Sequence, residues 1–174
     1  MEGLVHLYYG DGKGKTTAAA GLALRAAGNN MQVVFTQFLK GSPSGEAYML
    51  NSIDNVTVIR NKEDMGFFSS MDEGSIQKVR QMHDENLDKS LALVYDKKCD
   101  LLVLDEICAA YELGVISRTK VDKFILEKPG YLELVLTGRN PAGIFMENAD
   151  YITKMEKVKH PFDSNINARK GIEY

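Results

Sequence analysis

The sequence predicts an α/β protein with a mainly parallel β-sheet and helices on both faces. Strand-like and helix-like segments alternate along the 174 residues, and this alternation is typical of parallel sheets. The strand segments are short apolar runs, and turn residues separate them from the helical segments. The length favours a single domain over residues 1–174, with a core large enough to fold unaided.

The individual strands are predicted from short β-rich runs that end at turn residues. They span 4–9, 32–38, 56–60, 101–104, 131–137 and 151–155. Helices are predicted at 15–27, 74–98 and 117–128, the last with Ser117 as its N-cap. A further helix is predicted to begin at Asn140–Pro141, with asparagine as the cap. Residues 41–45 and 61–72 show no regular pattern; because both follow strands, we expect them at the ligand-binding edge of the sheet.

Composition and charge exclude several classes of function. A net charge of -3 lacks the basic excess that is usual in nucleic-acid-binding domains. No apolar stretch approaches the roughly 18 residues of a spanning helix, and the first residues lack a signal peptide. We therefore expect a cytoplasmic protein without a membrane partner. Cys99 and Cys108 have no metal-binding or redox spacing, so we interpret both as reduced core residues.

A glycine-rich turn of sequence GDGKGKTT, residues 10–17, lies between the first predicted strand and the first predicted helix. Gly10, Gly12 and Gly14 allow the backbone N–H groups to point toward one position, and the helix N-terminus adds its dipole. Lys15 would supply a positive charge to a phosphate, and Thr16 a hydroxyl to Mg²⁺. The pattern is typical of a P-loop, and the alternative is a purely structural glycine turn.

This loop is one residue shorter than the usual P-loop. Four residues ordinarily separate the first glycine from the Gly–Lys pair, whereas three residues do so here, namely Asp11, Gly12 and Lys13. The strand before the loop and the helix after it still favour phosphate binding.

A second feature of nucleotide sites follows the apolar run 101–104, which ends in Asp105 and Glu106. Carboxylates at the end of a buried strand are suited to a magnesium ion and its waters. The sequence shows no Ser–His–Asp order and no His-Glu-x-x-His motif. His83 shares the apolar face of the long helix, where Ile76, Val79, Leu87, Leu91 and Val94 recur every three or four residues. We therefore expect the nucleotide and a second substrate to supply the chemistry.

Several ordered motifs together resemble the ATP:corrinoid adenosyltransferases of the BtuR/CobO type over nearly the whole chain. The short P-loop is itself a mark of that family. The matching segments are GDGKGKTT at 10–17, QFLKG at 37–41 with Gly45–Glu46, VLDE at 103–106, LTGR at 136–139, VKHPFD at 158–163 and GIEY at 171–174.

The resemblance implies a RecA-like P-loop NTPase fold, often in a homodimer. It also implies transfer of the 5′-deoxyadenosyl group of ATP to the Co(I) of a reduced corrinoid, either cobalamin or cobyrinic acid a,c-diamide. Cobalt attacks the ribose C5′ and the whole triphosphate leaves. In the family, ATP lies reversed along the P-loop, which exposes C5′ to the cobalt. A flavoprotein is the expected reductant.

The resemblance also implies the roles of individual residues in the ATP site. Residues 10–17 and Arg139 bind ATP, with Lys13 and Lys15 on phosphate. Thr16, Asp105 and Glu106 hold Mg²⁺ or Mn²⁺, and the predicted catalytic residues are Lys15, Thr16 and Glu106.

The corrinoid-binding residues that the resemblance implies are Lys40, Glu46, Phe67 and Phe68. Phe67 matches a family phenylalanine that displaces the lower axial ligand of cobalt. Ser69 falls where the family has tryptophan, so Phe68 substitutes for it or displacement works differently. Family members also carry an N-terminal segment that closes over the corrin. Three residues precede the first predicted strand here, so we expect a more open site or closure by another element.

Two alternatives to adenosyl transfer remain open from the sequence. A RecA-like ATPase switch would hydrolyse ATP, and it would need a base to activate water. A non-catalytic binder of corrinoid or nucleotide would not need the full set of Lys15, Thr16 and Glu106.

Overall fold

The computed structural model describes residues 2–41, 44–61 and 72–173, within which strands and helices alternate as predicted. The strands are β1 (Val5–Tyr9), β2 (Val33–Gln37), β3 (Val56–Arg60), β4 (Leu101–Asp105), β5 (Glu133–Gly138) and β6 (Tyr151–Lys154). The helices are α1 (Lys15–Ala27), α2 (Gly45–Leu50), α3 (Glu73–Tyr95), α4 (Ile107–Glu112), α5 (Arg118–Leu126) and α6 (Gly143–Asn148). A 3₁₀ helix spans Pro161–Ser164.

The strands form one sheet in the order β3-β2-β4-β5-β1-β6, and each pair of neighbours runs parallel. This confirms the predicted fold class. The glycine loop follows β1, and Asp105 ends β4; β5 lies between these two strands. Because parallel strands have their carboxyl ends at one edge, the loop and the acid meet at the same edge of the sheet.

The core is divided by the sheet, because successive strand residues point to opposite faces. Apolar residues of α1, such as Ala19 and Ala23, pack with Leu101 and Val103 of β4. Leu102 and Leu104 belong to the other layer, which includes Val79, Leu87 and Val94 of α3. Helices therefore cover both faces, as predicted. Within the described parts of the chain, no helix is long and apolar enough to cross a membrane.

The helix boundaries confirm some local predictions and correct others. Ser117 caps α5, since its side chain accepts a hydrogen bond from the Lys120 amide. The predicted start at Asn140 was wrong: α6 begins at Gly143 after Ala142, which makes no side-chain cap. The Asn140 amide nitrogen instead donates to the Glu112 carboxylate at 3.2 Å. The short helices α2 and α4 were missed, because each has six residues and too few turns for a periodic pattern.

The long helix α3 ends at Tyr95, three residues before its predicted end. The Lys97 backbone has a left-handed φ of 58°, and the Lys98 amide donates back to the Leu93 carbonyl at 2.8 Å. This left-handed closure ends a helix even without glycine. The predicted apolar face is confirmed, with Val79, His83, Leu87 and Val94 buried. Cys99 and Cys108 are buried free thiols, as predicted.

Candidate nucleotide-binding site

The glycine loop after β1 has a backbone conformation and close contacts that leave no room for a Cβ atom at Gly10 or Gly12. Gly10 has a φ of 116°, in the region that glycine favours. The chain that follows β6 passes directly beneath the loop, where the Gly12 amide donates to the Met155 carbonyl at 2.8 Å. A Cβ on Gly12 would lie 2.7 Å from that carbonyl oxygen. These glycines therefore let the loop rest on the β6 end of the sheet.

Lys15, the first residue of α1, is buried against the loop. Its Nζ donates to the Gly12 carbonyl at 2.9 Å. Burial lowers the pKa of Lys15 from its usual value, and the nearby Glu106 carboxylate opposes this shift. A desolvated ammonium that is held by one carbonyl can exchange this contact for a phosphate oxygen.

Asp105 is the fully buried acid at the end of β4. Its Oδ1 accepts hydrogen bonds from the hydroxyls of Thr16 at 2.9 Å and Thr137 at 2.7 Å. Its Oδ2 accepts from Gln37 Nε2 at 3.2 Å and from Lys40 Nζ at 3.1 Å. Donors from α1 and from three other segments thus converge on one carboxylate, and together they offset its desolvation.

Glu106, the next residue, immediately precedes α4 and has an unusual backbone conformation. Its φ of 62° is left-handed, a conformation that often marks functional positions in non-glycine residues. Its amide donates to Thr137 Oγ1 at 2.9 Å. Burial raises the pKa of Glu106, and the charge of Asp105 raises it further, while Lys40 and Lys15 oppose the shift.

Lys40 and Glu46, predicted to contact a corrinoid, lie on the wall of the phosphate-loop cavity. Lys40 Nζ is 3.1 Å from Thr16 Oγ1 and 3.9 Å from Glu46 Oε1. Lys40 follows Leu39, which has a left-handed φ of 57°. The Leu39 amide donates to His83 Nε2 at 3.2 Å, and His83 Nδ1 lies 3.0 Å from the Val115 carbonyl. His83 from α3 thus supports the turn that places Lys40.

A cavity of about 370 Å³ lies at this edge of the sheet. It is lined by the second half of the loop and its helix, by residues around Lys40 and Glu46, and by Glu106. Its lining residues are Lys13, Gly14, Lys15, Thr16, Thr17, Ala20, Lys40, Gly45, Glu46, Glu106, Gly171, Ile172 and Glu173. We call it the phosphate cavity.

The C-terminal segment 171–173 is a wall of the phosphate cavity that sequence reasoning missed. Glu173 Oε1 accepts from Lys13 Nζ at 3.4 Å and from Arg169 Nη2 at 3.0 Å. Hydrogen bonds from Arg169 lower the pKa of Glu173 to about 2, so this residue is a carboxylate at neutral pH. The segment 171–174 belongs to the motifs that resemble the family, but its position in the sequence does not indicate that it returns to the loop.

A second cavity, of about 600 Å³, borders the start of the same loop. Its lining consists of Asp11, Arg139, Lys157, His160, Phe162 and Asp163, and we call it the tail cavity. Asp11 Oδ1 accepts from the Lys157 amide at 3.2 Å, which lowers the pKa of Asp11. Arg139 and Asp11, predicted to bind ATP, therefore line this second cavity and are absent from the lining of the phosphate cavity. Phe67 and Phe68 lie outside the described residues.

A glycine loop between a strand and a helix, with a buried acid two strands away, defines a P-loop nucleotide-binding protein. Solved structures agree on the fold. A KaiC-like protein from Pyrococcus horikoshii has a TM-score of 0.51 and 17% identity, covering 89% of this chain and 73% of that one. The EssC ATPases 2 and 3 from Geobacillus thermodenitrificans have a TM-score of 0.51 and 13% identity, and the match covers 97% of this chain and 35% of that one.

The family follows from sequence comparison. The model of the ATP:corrinoid adenosyltransferases BtuR/CobO/CobP matches residues 1–174, and the chain belongs to this family. It is similar to a corrinoid adenosyltransferase of Sinorhizobium sp, with 32% identity over 99% of this chain and 81% of the relative. The corrinoid adenosyltransferase of Escherichia coli strain K12 is 30% identical over 99% of this chain and 86% of its own length.

Proposed function

We propose that this protein transfers the 5′-deoxyadenosyl group of ATP to the Co(I) of a reduced corrinoid and releases triphosphate. The observation that carries the proposal is a phosphate cavity built on the short glycine loop in a member of this family. The chain forms the site within one domain over residues 1–174. Either cobalamin or cobyrinic acid a,c-diamide fits the proposal as the corrinoid.

The proposed reaction requires the protein to position two substrates and to stabilise a leaving group. Co(I) attacks C5′ with its own electron pair, the C5′–O bond breaks, and the electrons of that bond leave with the triphosphate. A nucleophile this strong needs no general base from the protein. Alignment of the two reactants alone can contribute several kcal/mol, up to roughly 7–11 in the best cases.

Lys15, Lys13 and the amides at the start of α1 are the groups that would stabilise the leaving triphosphate. Lys15 gives up its carbonyl contact and donates to a phosphate oxygen, while the α1 dipole favours the same charge. Lys13 is half exposed and reaches the outer phosphate once Glu173 releases it. Thr17 lines the same wall and offers a hydroxyl.

Mg²⁺, or Mn²⁺ in its place, fits the edge formed by Thr16, Asp105 and Glu106. The three side chains offer hard oxygen ligands, and Mg²⁺ usually adds substrate phosphates and waters to so few protein ligands. Among the described residues, Gln37 Oε1 is buried without a hydrogen-bond partner, although Gln37 Nε2 bonds to Asp105. An acceptor beside this carboxylate suits a metal-bound water. The ion would supply charge to the departing triphosphate.

The corrinoid side of the proposal rests on the family. Phe67 and Phe68 would lie against the corrin and displace the lower ligand of cobalt, and Arg139 would face the substrate from the tail cavity. A homodimer in the cytoplasm, reduced by a flavoprotein, completes the proposal. We place Lys40 and Glu46 in the phosphate cavity instead. Lys40 donates hydrogen bonds to Thr16 and Asp105, and Glu46 lies 3.9 Å from Lys40.

The deciding experiment is anaerobic incubation with ATP, Mg²⁺ and chemically reduced cobalamin. We expect a light-sensitive cobalt–carbon product and one free triphosphate for each product formed. Release of inorganic phosphate without any change at cobalt would establish the ATPase switch instead. Binding of ATP or corrinoid without turnover would establish a non-catalytic binder.

A further inference from the structure

Lys40 occupies an unusual place for a lysine in a metal-dependent nucleotide site. Its Nζ lies 3.1 Å from Asp105 Oδ2 and 3.1 Å from Thr16 Oγ1. These two side chains are two of the three protein ligands in the magnesium proposal, the third being Glu106. The ammonium group therefore already bonds to oxygens that a divalent ion would need.

The charge of Lys40 is needed when no metal is bound. Asp105 is fully buried, and its other described partners, Thr16, Thr137 and Gln37, are neutral donors. A buried carboxylate that loses its cation is strongly destabilising. Within the described part of the chain, Lys40 is thus the cation in direct contact with Asp105.

An ammonium group and a divalent ion cannot share this position. Mg²⁺ binds oxygen ligands at about 2.0–2.1 Å, and two like charges held a few ångströms apart repel each other. Glu46 Oε1 lies 3.9 Å from Lys40 Nζ and offers the ammonium group a second carboxylate. The Lys40 side chain is about one-third exposed, at 32%, so its flexible stem is free to move along the cavity wall.

We propose that Lys40 is an internal cation that holds the divalent-metal position between Thr16 and Asp105 until a metal ion displaces it toward Glu46. The inference rests on the metal site of the proposed function and goes beyond it. It means that the site keeps its charge balanced when empty and binds a divalent ion weakly until a nucleotide adds phosphate ligands.

The test is a titration with Mn²⁺ followed by electron paramagnetic resonance, without ATP or corrinoid. Mn²⁺ accepts the same oxygen ligands as Mg²⁺. The Lys40→Met variant should bind one Mn²⁺ about tenfold or more tightly than the unmodified protein, because a unit charge a few ångströms away is removed. Lys40→Arg keeps the charge and should bind Mn²⁺ as weakly as the unmodified protein. Lys123→Met, an exposed lysine on α5, is the matched control and should change nothing.

Thermal unfolding provides a second readout. Without metal, Lys40→Met should have a lower Tm than the unmodified protein. Mn²⁺ should raise the Tm of Lys40→Met by more than it raises the Tm of the unmodified protein. If Lys40→Met folds only with Mn²⁺ present, the metal is replacing the missing charge, as proposed. Equal Mn²⁺ affinity in Lys40→Met and the unmodified protein would overturn the inference, and so would a variant that stays unfolded with Mn²⁺.

The role of Glu46 is tested by a double-mutant cycle. Glu46→Gln should weaken Mn²⁺ binding several-fold, because the displaced ammonium loses its acceptor. In the Lys40→Met background the same change should have little effect. Equal weakening in both backgrounds would mean that Glu46 attracts the metal directly, which contradicts displacement of Lys40 toward it. None of these measurements uses a corrinoid. A failure of adenosyl transfer would therefore contradict the proposed function without affecting the test of Lys40.

Discussion

The two cavities that border the glycine loop are built in different ways. The phosphate cavity is held by two buried charged side chains, Asp105 at the end of β4 and Lys15 at the start of α1. The hydrogen-bond partners of Asp105 come from several elements. In the tail cavity Arg139, Lys157 and Phe162 are exposed, and two of these belong to the segment after β6. Precise charge stabilisation needs preorganised groups, so we expect leaving-group chemistry in the first cavity and substrate fit in the second.

The largest effect that separates the cavities is expected from two matched lysine substitutions. Lys15→Ala should lower kcat/KM for adenosyl transfer by about 10²–10³, as expected for the loss of one charge-stabilising donor. Lys157→Ala removes the same charge from the tail cavity and should cost about tenfold or less, mainly in KM. Steady-state kinetics with ATP measure both, and circular dichroism checks the fold. Comparable losses would mean that the two cavities share the chemistry.

A smaller effect is expected from His83, which holds the turn that places Lys40 in the phosphate cavity. Burial lowers the pKa of His83 below its usual 6.5, so the unfolded chain binds more protons than the native protein as the pH falls below 6.5. The contribution of neutral, buried His83 to the free energy of unfolding is therefore fully present above pH 6.5. It declines as the pH falls from 6.5 toward the lower pKa of the folded state. His83→Gln should lose about 1–2 kcal/mol at pH 7.5 through its backbone contacts and flatten the pH dependence. Denaturant unfolding at several pH values measures this, and an unchanged pH slope would contradict it.

The smallest expected effect concerns the C-terminal wall of the phosphate cavity. Glu173 holds Lys13 at 3.4 Å and would compete with a phosphate for it. Glu173→Gln should therefore tighten the binding of inorganic triphosphate by about threefold, in line with the small free energies of exposed ion pairs. Calorimetric titration measures this, with Glu127→Gln, immediately after α5, as a control for charge. Weaker binding in Glu173→Gln would mean that Glu173 helps to hold the ligand.

Much of the fold was predictable, because its determinants are local. Alternating strand and helix patterns predicted all six strands of the sheet to within two residues at either end. The glycine spacing located the loop, and the acids after an apolar run located the end of β4. These patterns depend on near neighbours in the chain, and the physics of strands, caps and glycine turns acts over the same range.

The position of Lys40 was not predictable, because distant segments decide it. It depends on a left-handed residue at 39 and on a histidine of α3 that is 44 positions away from Leu39 in the chain. The family resemblance assigned Lys40 and Glu46 to the corrinoid, and both line the cavity at the phosphate loop in the structure. The tail was unpredictable for the same reason, since Glu173 meets Lys13 across 160 positions.

The sheet, the glycine loop and the buried acid follow from sequence pattern, because backbone preference and hydrophobic periodicity act within short segments. The contacts of the charged side chains depend on the folded chain: Lys40 meets Asp105, Glu173 meets Lys13, and Asp11 accepts a hydrogen bond from the Lys157 backbone amide. Electrostatic partners are set by distance in space, and that distance exists only after the sheet has brought remote strand ends to one edge.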